Sequence, residues 1–207
     1  MKALLLIDIQ NDFLPGGALA VPFGDEILPL VNALMPRFEL VVATQDWHPA
    51  NHSSFVANHP GKDVGQRIVV EGVPQILWPV HCVQNTRGAE LAAALNRGGI
   101  HQVVQKGQDP LVDSYSAFFD NEHRRSTQLA EMLRAKDVSH VYLAGLATDY
   151  CVKFSALDAL AEGFAVTLIE DAARGVNLHA ADVANAVEAM RGAGARVTTA
   201  AGLLSRY

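Results

Sequence analysis

Only two cysteines, Cys82 and Cys151, occur in 207 residues, so no disulfide framework organises this chain, and its thiols read as those of a cytoplasmic protein. Basic residues are also few: 16 Lys and Arg stand against 22 Asp and Glu, for a net charge of −6. With no basic run either, recognition of nucleic acid or an anionic membrane surface by a global positive field is excluded. No apolar stretch approaches the roughly 18 residues that a membrane helix requires. The opening Met1–Ile7 resembles the start of a signal peptide, but Asp8, Gln10, Asn11 and Asp12 interrupt it and no small-residue cleavage site follows. A Walker A loop is missing, as is Gly-x-Gly-x-x-Gly after the first strand, so nucleotide phosphates have no cradle. Gly-x-Ser-x-Gly is absent, which removes the serine-hydrolase elbow.

What remains is half hydrophobic and 18% charged, the composition of a folded globular chain. Its length fits one domain over residues 1–207. Residues 2–7 are apolar on both faces, the pattern of a central parallel strand. Further strands read at 39–44, 102–105, 140–144, 165–169 and 196–199. Helical patterns read at 26–35, 89–95, 127–135, after Cys151 as far as a Gly163 cap, and at 179–191. Residues 49–84 show no periodicity, only isolated apolar pieces, and a loop of that length is usually functional. Alternating strands and helices predict an α/β fold: a three-layer, doubly wound, mostly parallel sheet with helices on both faces.

Such sheets bind ligands beyond the carboxyl ends of their strands. Asp8 ends the first strand, Asp46 and His48 follow the second, Lys106 the third and Cys151 the fourth, so topology brings all five to one edge. Taken alone, Cys151 fits a nucleophile and a packed core residue equally well. Thr148 is a plausible N-cap ahead of it, and a helix N-terminus lowers a thiol pKa. Joined by Asp8 and Lys106, it becomes an amide-hydrolysis set: thiol, proton carrier and a cation that orients the pair. In Asp46-Trp47-His48 two ligand types share one side of an extended segment, and His81 is the best third. One Asp and two His suit a divalent Zn, Fe or Mn ion with open positions. His52 and His59 lie nearby as supporting or solvent-facing residues, and Cys82 reads as packing.

Asp8-Ile9-Gln10-Asn11-Asp12-Phe13, Gly16-Gly17-Ala18-Leu19, Asp46-Trp47-His48-Pro49, Trp78-Pro79-Val80-His81-Cys82, Lys106-Gly107 and Gly145–Val152 together resemble the nicotinamidase branch of the isochorismatase-like cysteine hydrolases, essentially end to end. The resemblance implies Asp8 as general acid/base, Lys106 as its charged partner, Cys151 as nucleophile, and Asp46, His48 and His81 as ligands of one divalent metal. It implies an oxyanion hole from the Ala147 and Cys151 N–H groups, a cis peptide before Ala147, and a ring pocket walled by Phe13, Leu19, Trp78 and Tyr115. The substrates it implies are small molecules, nicotinamide and pyrazinamide, with no nucleic-acid or membrane partner and with room for a homo-oligomer. Rival readings are a metal-independent amidohydrolase acting on an N-carbamoyl or ureido compound, and a non-catalytic binding module.

Overall fold

The computed structural model describes residues 1–205. In chain order its strands are β1 (Lys2–Ile7), β2 (Leu40–Asp46), β3 (Arg67–Val70), β4 (Val73–Ile76), β5 (Gln102–Lys106), β6 (His140–Leu146), β7 (Ala165–Arg174) and β8 (Arg196–Thr198). The α-helices are α1 (Ile27–Leu34), α2 (Leu129–Ala135), α3 (Lys153–Ala161), α4 (Asp182–Gly192) and α5 (Ala200–Leu204). Six strands form one sheet in the order β5-β2-β1-β6-β7-β8, and every pairing in it is parallel.

β1 shows why the sheet needs cover on both sides. Ala3, Leu5 and Ile7 join one apolar cluster, which also holds Leu129 and Leu133 of α2, Ala156 of α3 and Met190 of α4. Leu4 and Leu6 join the other, with Ile27, Val31 and Leu34 of α1 and Ala200 of α5. Alternate residues of one strand thus feed two cores, the period-two consequence of an extended backbone. The α/β doubly wound architecture expected from the sequence is the one found.

Three local readings need correction. Residues 89–95 are not helical but run through turns. Their backbone groups are committed elsewhere: the Ala89 carbonyl accepts from the side chains of Gln10 and Gln45, and the Ala92 N–H donates to Ile9. The irregular 49–84 stretch contains the antiparallel hairpin β3–β4. α2 begins at Leu129 rather than Thr127, because Gln128 is left-handed and the Thr127 hydroxyl is bonded to the Ala117 carbonyl. α5 was not foreseen, and the Thr199 side chain caps it by accepting from the Gly202 N–H. Among the described residues no helix is long and apolar enough to cross a membrane.

Candidate active site

The chain leaves β1 first toward β2 and later toward β6 on the opposite side, so a crevice opens at the carboxyl ends of β1 and β6. Asp8 sits just past β1, Asp46 ends β2, Lys106 ends β5, and Cys151 lies in the turn after β6. Asp46 and Lys106 are register partners in adjacent strands. All four side chains are buried.

Lys106 organises them. Its Nζ lies 2.9 Å from Asp8 Oδ2 and 2.5 Å from Asp46 Oδ1. The same ammonium donates to the Ser114 carbonyl at 2.8 Å and points at Cys151 Sγ at 3.5 Å. Burial disfavours the charged form of a lysine, but the carboxylates of Asp46 and Asp8 reverse that and hold Lys106 well above its ordinary pKa. Burial raises Asp8, with Lys106 restraining the rise. Asp46 goes the other way: burial opposes its charge, yet Lys106, His48 and His81 hold it below the usual carboxylate range. The Thr44 hydroxyl donates to Asp8 Oδ1 at 2.5 Å and accepts from the Asp8 N–H at 3.0 Å, fixing a residue whose φ is +49°.

Cys151 departs from its expected setting. Thr148 is not a side-chain cap; the turn at Thr148–Val152 is of π type, entered from an extended Ala147. Tyr150 and Val152 N–H groups both donate to the Ala147 carbonyl at 3.1 Å, a wider turn than the α-helical start that would place Thr148 as cap. Burial pushes the Cys151 thiol well above its ordinary pKa, Lys106 pulls it back, and Asp8 adds to the rise. The resting group is therefore a thiol, not the acidified thiolate expected of a helix N-terminus. The Leu146–Ala147 peptide is cis, as the resemblance implied. Asp149 ties the turn down by accepting from the Val176 and Asn177 N–H groups at 2.9 and 2.8 Å.

Beside Lys106, Asp46 turns its other oxygen toward two imidazoles. Asp46 Oδ2 lies 3.5 Å from His48 Nε2 and 3.9 Å from His81 Nε2. The His48 Nδ1–H donates to the Gly107 carbonyl at 2.8 Å, and the His81 Nδ1–H donates to Pro79 at 2.7 Å. With both Nδ1 atoms committed to carbonyls, the two rings turn their Nε2 atoms toward one point, the arrangement of metal-bound histidines oriented by a carbonyl. His48 Nε2 is buried with no hydrogen-bond partner, and the three donor atoms lie within 4.8 Å of one another. These residues fit a divalent cation. Gly107 is required here: at φ +67°, any Cβ would meet the His48 ring.

His52 lies against His48 with ring centroids 4.2 Å apart, but its tautomer is opposite. Its Nδ1 accepts from the Ser54 N–H at 3.2 Å and lies 2.7 Å from Ser54 Oγ, which leaves the proton on Nε2. His52 thus supports the cluster and is no match for the two carbonyl-oriented rings. Burial and the neighbouring His48 lower both His52 and His81 to about 4. His59 bonds the Ser53 carbonyl and lies outside the site. Cys82 is buried in the core, as its packing role required.

The four expected wall residues, Phe13, Leu19, Trp78 and Tyr115, line one pocket with Asp46, His81, Ala147 and Cys151. Trp78 Nε1–H donates to the Tyr115 hydroxyl at 3.2 Å. Asp113, Tyr150 and Val176 also line it; Asp113 and Tyr150 fall in stretches that match the family, but none of the three was given a role from the sequence. Gln10 and Asp12 were quoted only as motif positions, but the structure gives them work. Gln10 bonds both the N–H and the carbonyl of Asp46. Asp12 accepts from the Cys82 N–H at 2.7 Å, clamping the loop that carries His81.

A buried thiol, carboxylate and ammonium at a parallel-sheet crevice, beside a three-residue cation site, define a cysteine hydrolase, and residues 2–202 match the model of the isochorismatase domain. The chain belongs to the isochorismatase family. It is 50% identical over 204 residues to the nicotinamidase of Escherichia coli K12, covering 97% of this chain and 95% of that protein. Its structure is similar to that of a nicotinamidase/pyrazinamidase from Acinetobacter baumanii (TM-score 0.94, 42% identity, 98% and 97% of the two chains). It is also similar to the pyrazinamidase of Pyrococcus horikoshii solved in complex with zinc (TM-score 0.78, 40% identity, 96% and 98% covered).

Proposed function

We propose that this chain hydrolyses the carboxamide of nicotinamide to nicotinate and ammonia, a step of NAD salvage, and deamidates pyrazinamide in the same pocket. The observation that carries the reading is the Lys106 ammonium, held between Asp8, Asp46 and Cys151 Sγ, the last two of which line the ring pocket. We place the whole chain, 1–207, in a single hydrolase domain working in the cytoplasm, with a small-molecule substrate and no nucleic-acid or membrane partner.

Asp8 takes the proton from Cys151 Sγ as the sulfur attacks the carboxamide carbon. Burial raises both groups, so the thiol proton has an acceptor moved in the same direction, and Lys106 stabilises the negative charge wherever it resides. The tetrahedral oxyanion lies within the Ala147–Cys151 turn, where the N–H groups of those two residues serve as its donors. Asp8 returns the proton to the departing nitrogen, ammonia leaves, and a thioester remains on Cys151. Water, deprotonated by Asp8, attacks the thioester; nicotinate leaves and the sulfur recovers its proton. Phe13, Leu19, Trp78 and Tyr115 hold the faces of a flat ring, which fixes the carboxamide against Sγ. A Zn, Fe or Mn ion held by Asp46, His48 and His81 would supply a Lewis-acidic point to meet the ring nitrogen.

The reading is tested by incubating the full chain with nicotinamide or pyrazinamide. Ammonia and the corresponding acid are expected one for one. Hydrolysis confined to N-carbamoyl or ureido compounds, with both ring amides untouched, would overturn it.

A further inference from the structure

A groove of about 450 Å³ adjoins the ring pocket, bounded by the β3–β4 hairpin, α3 and α4. Ile76, Phe154, Leu178, Ala186 and Ala189 give much of its wall an apolar character. Tyr115 and Tyr150 line both cavities, and among the described residues no other does. Their rings are therefore the partition between a pocket that takes one flat ring and a space large enough for another.

The two rings are held differently. Tyr115 is anchored from both sides: its hydroxyl accepts from Trp78 Nε1 at 3.2 Å, and its ring stacks on Phe154 with centroids 5.5 Å apart. Trp78, Tyr115 and Phe154 thus carry aromatic surface from the ring pocket into the groove. At its far end the Lys153 ammonium lies 4.6 Å from the Phe154 centroid. Tyr150 stands across this surface, meeting Trp78 at 4.9 Å and 88° and Tyr115 at 5.4 Å and 63°. Its place is dictated by the nucleophile it precedes, because the Tyr150 N–H donates to the Ala147 carbonyl within the turn that carries Cys151. The aromatic surface would seat a second ring beside the first, and the Tyr150 ring takes that room.

Building on the amide hydrolysis proposed above, we propose that Tyr150 determines substrate size. Its ring confines hydrolysis to carboxamides of a single six-membered ring, and the groove behind it receives a second, fused aromatic ring when that side chain is cut back. The test measures kcat/KM by ammonia release for nicotinamide and for the quinoline and isoquinoline carboxamides that keep its amide-to-nitrogen spacing. The fused-to-single ratio is independent of how much of a variant is folded. Tyr150→Ala is expected to lose activity on nicotinamide, as Trp78 and Tyr115 lose a ring contact, while the ratio rises about tenfold or more for at least one fused amide. Tyr150→Val, a smaller cut, is expected to move the ratio the same way by less. Ala189→Phe narrows the groove from α4 and, added to Tyr150→Ala, is expected to cancel most of the gain. An unchanged ratio in both Tyr150 variants would overturn the proposal, as would a gain untouched by Ala189→Phe. Loss of all nicotinamide hydrolysis in both Tyr150 variants would overturn it too, by making the ring part of the catalytic turn. A wild type that releases no ammonia from nicotinamide would instead overturn the amide-hydrolysis reading beneath it.

Discussion

At the residue scale the site is a matter of who holds the Cys151 proton. Lys106 lowers the thiol pKa and Asp8 raises it, while burial outweighs both. The sign follows directly. With a raised pKa the thiol stays protonated at pH 7 and its thiolate fraction grows only as pH climbs past the ordinary value of about 8.5. Asp8→Asn removes both the proton acceptor and the negative charge that raises the thiol. Ammonia release is expected to fall by roughly 10²–10⁴, while alkylation of Cys151 by iodoacetamide at pH 7–8 becomes faster than in the wild type. Alkylation that slows in step with hydrolysis would mean that Asp8 acts on the thiol by another route.

At the element scale the proposed metal-ligand set, Asp46, His48 and His81, stands on an aromatic backing. Phe55 is fully buried and packs its ring against His48, His52 and His81, with centroids 5.5 to 5.6 Å apart. Phe55→Ala leaves a cavity behind all three rings and is expected to cost about 3–5 kcal/mol in chemical denaturation. The variant is also expected to retain less divalent metal through dialysis. Full metal retention in a destabilised variant would assign Phe55 to packing alone.

The same elements show what could be read from the chain. β1, β6 and β7 were legible because strands buried on both faces are written as short apolar runs with breaks after them. Asp8, Asp46, Lys106 and Cys151 were legible as a set because parallel strands send all their carboxyl ends to one edge. The segment at 89–95 was misread because its apolar spacing is helical, while its backbone is bonded to Gln10, Gln45 and Ile9, partners far off in sequence. The hairpin β3–β4 was missed because its strands are only four residues each and β4 carries a proline, so neither shows a clear strand period. Tyr150 stands beside Cys151 in the Thr148–Val152 turn, whereas Asp113 and Val176 come from two separate loops that only tertiary packing brings to the pocket. The raised Cys151 thiol was beyond reach too, since no local pattern reports burial of the whole cluster.

At the scale of the whole molecule, the uncompensated pieces of the site bear on stability. His48 Nε2 is a buried nitrogen without a hydrogen-bond partner, aimed at Asp46 and His81. A divalent ion that binds the folded state alone stabilises it by mass action, about 2.7 kcal/mol at a hundredfold excess over Kd. Stripping the protein with a chelator is therefore expected to lower Tm, and readdition of zinc, iron(II) or manganese(II) to restore it. An identical Tm before and after verified metal removal would detach Asp46, His48 and His81 from cation binding. The sheet itself supplies the remaining long-range term. Its switch from β2 to β6 around β1 opens the only crevice where Asp8 and Cys151 face each other among the described strands, so chemistry and topology share one location.

Ammonia release from nicotinamide by the wild type and by Cys151→Ala, measured side by side on proteins of matched metal content, bears on the whole scheme at once. Steady release by the wild type and none by Cys151→Ala, with the variant still folded and still binding nicotinamide, is the expected result. Equal release from both proteins would contradict the assignment of Cys151 as nucleophile, and with it the roles given to Asp8 and Lys106.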